Sequence, residues 1–154
     1  MDISLHFTYE EAIHSQTAER NNIDNNPNAV VLETIKSAGV KMDKVRELLG
    51  VPVIVSSWYR CLKLNNLLSK ATHSQHIDGE AIDFISPKFG TPLAICRKII
   101  ENKELIGYDQ LILEHTWVHI SFAILTKSPR QQVLSLLESG GYAYGLTDKL
   151  ANPL

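Results

Sequence analysis

Residues 74–84 read Ser-Gln-His-Ile-Asp-Gly-Glu-Ala-Ile-Asp-Phe, and within them His76 and Asp83 stand on either side of Gly79, at the entry to an apolar run. Ala81-Ile82-Asp83-Phe84-Ile85 is short and rich in β-branched and aromatic residues, which predicts a strand. On that strand Ile82 and Phe84 share one face and Asp83 takes the other. A carboxylate in the middle of an apolar strand is costly unless it is paired, hydrogen-bonded or bound to a metal. Gly79 suits a chain that must turn between His76 and Asp83, since glycine takes positive φ freely. An ordinary turn needs the same residue.

Partners for Asp83 are sought among the six histidines, four of which fall into two groups, His73 with His76 and His115 with His119. Alternation along Trp117–Ile124 puts Val118, Ile120, Phe122 and Ile124 on a core face and His119 on the more open face. Gln110–Glu114 reads as a second strand separated from it by very few residues, hence a hairpin. With an even loop centred on His115-Thr116, Ile112 lies opposite His119 and Glu114 opposite Trp117. Glu114 is then diagonal to His119, roughly 7 Å away. His-Thr is a poor turn dipeptide, and a three-residue loop would destroy this register.

The remaining chain supplies a scaffold. Thr8-Tyr9-Glu10-Glu11 has capping-box spacing, so a helix begins near Tyr9 and runs until the polar stretch at Asn21–Asn26. Pro27 is expected in the first turn of a longer helix whose apolar stripe includes Ile35, Val45 and Leu49 and which Gly50 stops. Val51–Ser57 is expected as a strand, with Pro52 near its start or at an edge. Leu62–Ser69 reads as a helix, and Thr91-Pro92 introduces another over Leu93–Ile100. Gly140–Gly145 is expected as a plain C-terminal loop rather than a mobile flap. The order of helices and strands implies α+β, with a small antiparallel sheet carrying the site and helices packed on one side.

Composition narrows the function. The chain of 154 residues, 44% hydrophobic, is expected to form one domain over 1–154. Its net charge of −2 and pI near 6.3 offer no basic surface for nucleic acid or anionic membrane. The N-terminus has neither a basic nor an apolar signal region, and no run of about 20 apolar residues occurs, so no membrane insertion and a cytoplasmic location on synthesis are expected. Cys61 and Cys96 are isolated and suit buried packing rather than a disulfide.

Two neutral imidazoles and a carboxylate suit Zn²⁺, whose catalytic sites use three protein ligands and leave a fourth position for water. His76, Asp83 and His119 are the expected ligands, and Glu114 is the expected base. A four-histidine site from His73, His76, His115 and His119 is the alternative. An Fe(II) oxygenase triad normally has closer His-x-Asp spacing than is found here.

The pattern Ser74-x-His76-x-x-Gly79-x-Ala81-x-Asp83, with Trp117-Val118-His119 further on, resembles the signature of the D-alanyl-D-alanine carboxypeptidase family of zinc peptidases, which shares its fold with lysostaphin-type peptidases and hedgehog domains. Ser56-Ser57-Trp58-Tyr59-Arg60 with Asn65 is similar to that family's Ser-x-Tyr-Arg-x-x-x-x-Asn segment. Ser15-x-Thr17-Ala18 and Ile23-Asp24-Asn25-x-Pro27 resemble the opening of its phage and prophage members. The resemblance implies zinc-dependent hydrolysis of an amide bond in peptidoglycan stem peptides, with Arg60 and Ser74 beside the substrate and Trp117 as a further contact. Release by phage lysis, carriage in a virion beside its proteins, and a host wall-remodelling role are all open on that resemblance.

Departures exist. Several members carry the catalytic carboxylate three residues before the last histidine, where this chain has Thr116; Glu114 is five before, and His115 is the runner-up base. Trp58 and Cys61-Leu62 replace smaller residues and a Ser-Pro around the arginine. A non-catalytic zinc module that recognises peptidoglycan or builds a virion is the rival to an enzyme.

Overall fold

The computed structural model describes residues 1–154. Three helices lead the chain. Thr8 caps α1 (Tyr9–Ile13) through a reciprocal box with Glu11. The single helix expected here is in fact two, because Ser15 starts a new one, α2 (Gln16–Arg20), by accepting from the Ala18 amide. The long α3 (Ala29–Leu49) is capped by Asn28, so Pro27 lies just outside the first turn rather than within it; Gly50 ends it at φ 70° in the left-handed region.

Six strands form one open sheet in the order β1-β2-β4-β3-β5-β6. They are β1 (Ile54–Ser57), β2 (Ala81–Ile85), β3 (Gln110–Leu113), β4 (Val118–Ser121), β5 (Gln132–Leu136) and β6 (Tyr142–Tyr144). Between them run α4 (Leu62–Leu68), α5 (Gln75–Asp78), α6 (Pro92–Glu101) and α7 (Lys103–Ile106). The α+β class with helices on one side therefore holds. One pairing departs from the antiparallel expectation, since β5 runs parallel to β3. β1 begins later than expected, and Pro52 stays outside it, its carbonyl accepting from Ser86 Oγ. β4 ends early because the Ile124 and Leu125 amides turn to the Glu80 carboxylate instead of the ladder. The glycine- and tyrosine-rich stretch expected as a loop is the turn into β6, with Gly140 at φ 95°.

The alternation read from the sequence sets the two faces of the sheet. Ile82, Phe84, Val118 and Ile120 are fully buried against Ile35, Ala38 and Met42 of α3 and Ile95 and Ile99 of α6. Each such side chain contributes about 1.5–3 kcal/mol by leaving water. The other face carries a row of cross-strand partners, Asp83, His119, Ile112 and Leu134. Cross-strand partners share a face, so this row forms the floor of a cleft.

Candidate metal centre

His76 sits in α5, a single turn that Ser74 caps and Gly79 closes in the left-handed region at φ 82°. A Cβ at Gly79 would lie 2.6 Å from Ile35 Cγ1, so α5 approaches α3 as closely as only glycine allows. Close approach and positive φ together separate Gly79 from a turn glycine of no consequence. The His76 Nδ1 lies 2.6 Å from the Trp58 carbonyl oxygen. A carbonyl only accepts, so Nδ1 carries the proton and the Nε2 lone pair faces inward, 3.3 Å from Asp83 Oδ2. Asp83 and His119 are direct partners across β2 and β4, with His119 Nδ1 2.9 Å from Asp83 Oδ1. The two imidazoles meet edge to face, 5.2 Å between centroids.

The three ligating atoms all lie within 4.8 Å of one another. Tetrahedral Zn²⁺ with bonds of about 2.0–2.1 Å requires donor atoms roughly 3.3 Å apart, so the donor set and spacing fit that ion. The protonation states fit as well. Burial holds the His76 imidazole below its ordinary value despite Asp83, which keeps it neutral. Burial alone would raise the Asp83 carboxyl, but the neighbouring His76 and His119 imidazoles hold it well below the usual carboxylate range.

Arg60 meets the cluster from β1's end. Its Nη2 lies 3.3 Å from Asp83 Oδ2 and its Nε donates to Ser57 Oγ at 3.0 Å. The Arg60 amide donates to the His76 carbonyl at 3.1 Å. The residues on either side are pinned by buried Asn25, whose Nδ2 donates to the Tyr59 carbonyl and whose Oδ1 accepts from the Cys61 amide. Asn25 appears in the sequence only as part of an opening motif; its role in fixing Arg60 depends on contacts more than 30 residues apart (|i−j| 34 and 36) and was not legible there.

Glu114 lies where the even-loop register places it. Ile112 pairs with His119 and the Glu114 amide donates to the Trp117 carbonyl. Glu114 lines a cleft of about 670 Å³ together with His76, Asp83, His119, Arg60 and Trp117. Its carboxylate receives no hydrogen bond from the chain, and burial raises it above its ordinary value. Trp117 Nε1 is buried without a partner. Ser74 also lines the cleft, while its Oγ accepts from the His76 amide at 3.2 Å. His73 is 82% exposed and pairs with Asp78. His115 is exposed on the hairpin turn and faces a different pocket, so the structure does not assemble the four-histidine alternative. Arg130, Leu134, Leu136 and Tyr142 also line the cleft; of these the sequence pointed only to Tyr142, within the Gly140–Gly145 stretch expected as a plain loop rather than a flap over a site.

No helix is long and apolar enough to cross a membrane. No curated protein matches the chain. The family model described as Peptidase M15 matches residues 5–121, a span that holds His76, Asp83 and His119 together with Arg60, Glu114 and Trp117. On that match over most of its length, the chain belongs to the peptidase M15 family of zinc metallopeptidases.

Proposed function

We propose that this metallopeptidase hydrolyses an amide bond in the stem peptides of bacterial peptidoglycan, as a carboxypeptidase or an endopeptidase, within one catalytic domain. The observation that carries the reading is the convergence of three ligating atoms beside an unpartnered, half-buried carboxylate on the floor of an open cleft. His76 through Nε2, Asp83, and His119 through Nδ1 would hold the ion. Zinc there supplies Lewis-acid polarisation of the scissile carbonyl and lowers the pKa of water towards about 7.

The chain's own groups do the rest. Glu114 accepts the proton of the attacking water and returns it to the leaving amine. Arg60 points a charged donor at the oxygen on which negative charge develops, while Asp83 and Ser57 hold the fork in place. Trp117, whose indole lines the cleft, offers an apolar surface to the substrate. Ser74 contributes chiefly by fixing α5, and through it His76.

Incubating the zinc-loaded protein with purified peptidoglycan and weighing the released fragments by mass spectrometry tests the reading. Loss of a terminal residue or cleavage within the stem is the expected result, and either mass assigns the bond. Tight binding to the wall without any released fragment would replace the enzyme with a zinc-dependent recognition module.

A further inference from the structure

The family match ends at residue 121, yet Arg130, Leu134, Leu136 and Tyr142 line the same cleft as the metal ligands. Register explains how they reach it. Leu134 pairs with Ile112 across the parallel β3–β5 ladder, and Leu136 pairs with Tyr142 across β5–β6. These side chains extend the floor away from His119 as an apolar strip. Glu114 stands towards one end of the strip, and Arg130, just before β5, stands at the other.

Arg130 is held unusually firmly for a loop residue. Its Nε and Nη2 donate to the two Asp109 oxygens at 3.1 and 2.9 Å, and its amide donates to Oδ1 at 2.8 Å. Asp109 is itself 5% exposed, and Gln75, the neighbour of His76, donates to its Oδ2 at 3.0 Å. One edge of the guanidinium is thereby fixed. Nη1 has no partner in the chain, and the side chain is 53% exposed. A guanidinium carries five N–H donors, so the outward edge still offers a fork suited to a carboxylate. The other guanidinium lining the cleft, Arg60, stands beside the His76–Asp83–His119 cluster, 3.3 Å from Asp83, and serves the reacting centre rather than this far side.

We infer that Arg130 is a specificity residue, binding through its outward edge a free carboxylate of the peptide substrate while the residues between it and the scissile bond lie on Leu134 and Ile112. Two strand spacings of about 4.8 Å and four residues of rise at about 3.3 Å put the Arg130 backbone roughly 16 Å from that of His119, about four or five residues of extended peptide from the scissile bond. The inference rests on the peptidase reading of this cleft.

The test uses pairs of otherwise identical stem-derived peptides with that carboxylate free or amidated. Wild-type protein should prefer the acid by about 10- to 100-fold in kcat/KM, mostly through KM, as expected for a charge-assisted fork. In Arg130→Gln the acid-to-amide ratio should fall close to one with zinc content unchanged. Arg130→Lys keeps a cation for Asp109 but not the planar fork, so it should keep the wild-type melting temperature and still lose most of the discrimination. A wild-type ratio near one, or an unchanged ratio in both variants, overturns the role. Failure of the wild type to cleave either peptide or whole peptidoglycan would sink the peptidase reading instead, and calorimetric binding of the two peptides would then decide the Arg130 contact on its own.

Discussion

The Glu114 carboxylate is half-buried and raised above its ordinary value, first by burial and further by Asp83, with His119 and Arg60 opposing. A base with no internal hydrogen bond is free to take a proton from water, and it is not a ligand. Glu114→Gln should therefore leave zinc content intact and lower turnover on the order of 10²- to 10⁴-fold. Comparable turnover in the two proteins would remove Glu114 from the mechanism. Stability gives an independent sign. Because folding raises this pKa, the folded state binds the proton more tightly, so its contribution is favourable at low pH and lost as pH rises through the folded value. Metal-free Glu114→Gln should thus melt no lower than metal-free wild type at pH 7, and any advantage should fade in acid. Thermal melts of both proteins across pH check this.

At the scale of elements, the site depends on the way α5 is delivered to β2. Gly79 permits the turn, lets α5 lie against Ile35, and offers its carbonyl to Trp58 Nε1 at 2.9 Å. Trp58 in turn presents the carbonyl that sets the His76 tautomer. Gly79→Ala meets both a positive φ and a Cβ clash, so it should destabilise the fold by about 1–3 kcal/mol and weaken zinc affinity. Denaturant melts and metal titration read the two effects; wild-type values in both would mean that α5 tolerates the shift. The register of the β3–β4 hairpin, by contrast, was legible, although β4 is shorter than the expected Trp117–Ile124. Alternation put Val118 and Ile120 against His119, and an even loop paired Ile112 with His119, as observed.

Across the whole molecule, what the sequence revealed and what it hid divide by the range of the interactions. His76, Asp83 and His119 were recoverable because two of them stand on strands whose parity exposes them and the third lies close to Asp83 in the chain. The β5–β6 hairpin was not recoverable. Gln132-Val133-Leu134-Ser135-Leu136 is half-buried on most positions, so it shows little contrast between its faces, and its order comes from parallel pairing with distant β3. Buried Ser135 then ties it to the C-terminal segment by donating to the Gly145 carbonyl and accepting from the Thr147 amide. Arg130 was missed for the same reason, since its anchor Asp109 is 21 positions away. The sheet thus has one half that carries the His76–Asp83–His119 cluster, whose pattern is local and falls within the family match, and another beyond that match that shapes the far side of the cleft.

The central claim is that the row joining β2 and β4, completed by α5, holds one zinc ion. Metal analysis of purified wild-type protein beside His76→Ala, Asp83→Ala and His119→Ala tests it most directly. About one zinc per chain in the wild type and almost none in each variant is the predicted result, since removing one of three protein ligands leaves an incomplete site. Zinc retained at the wild-type level in all three variants would contradict it.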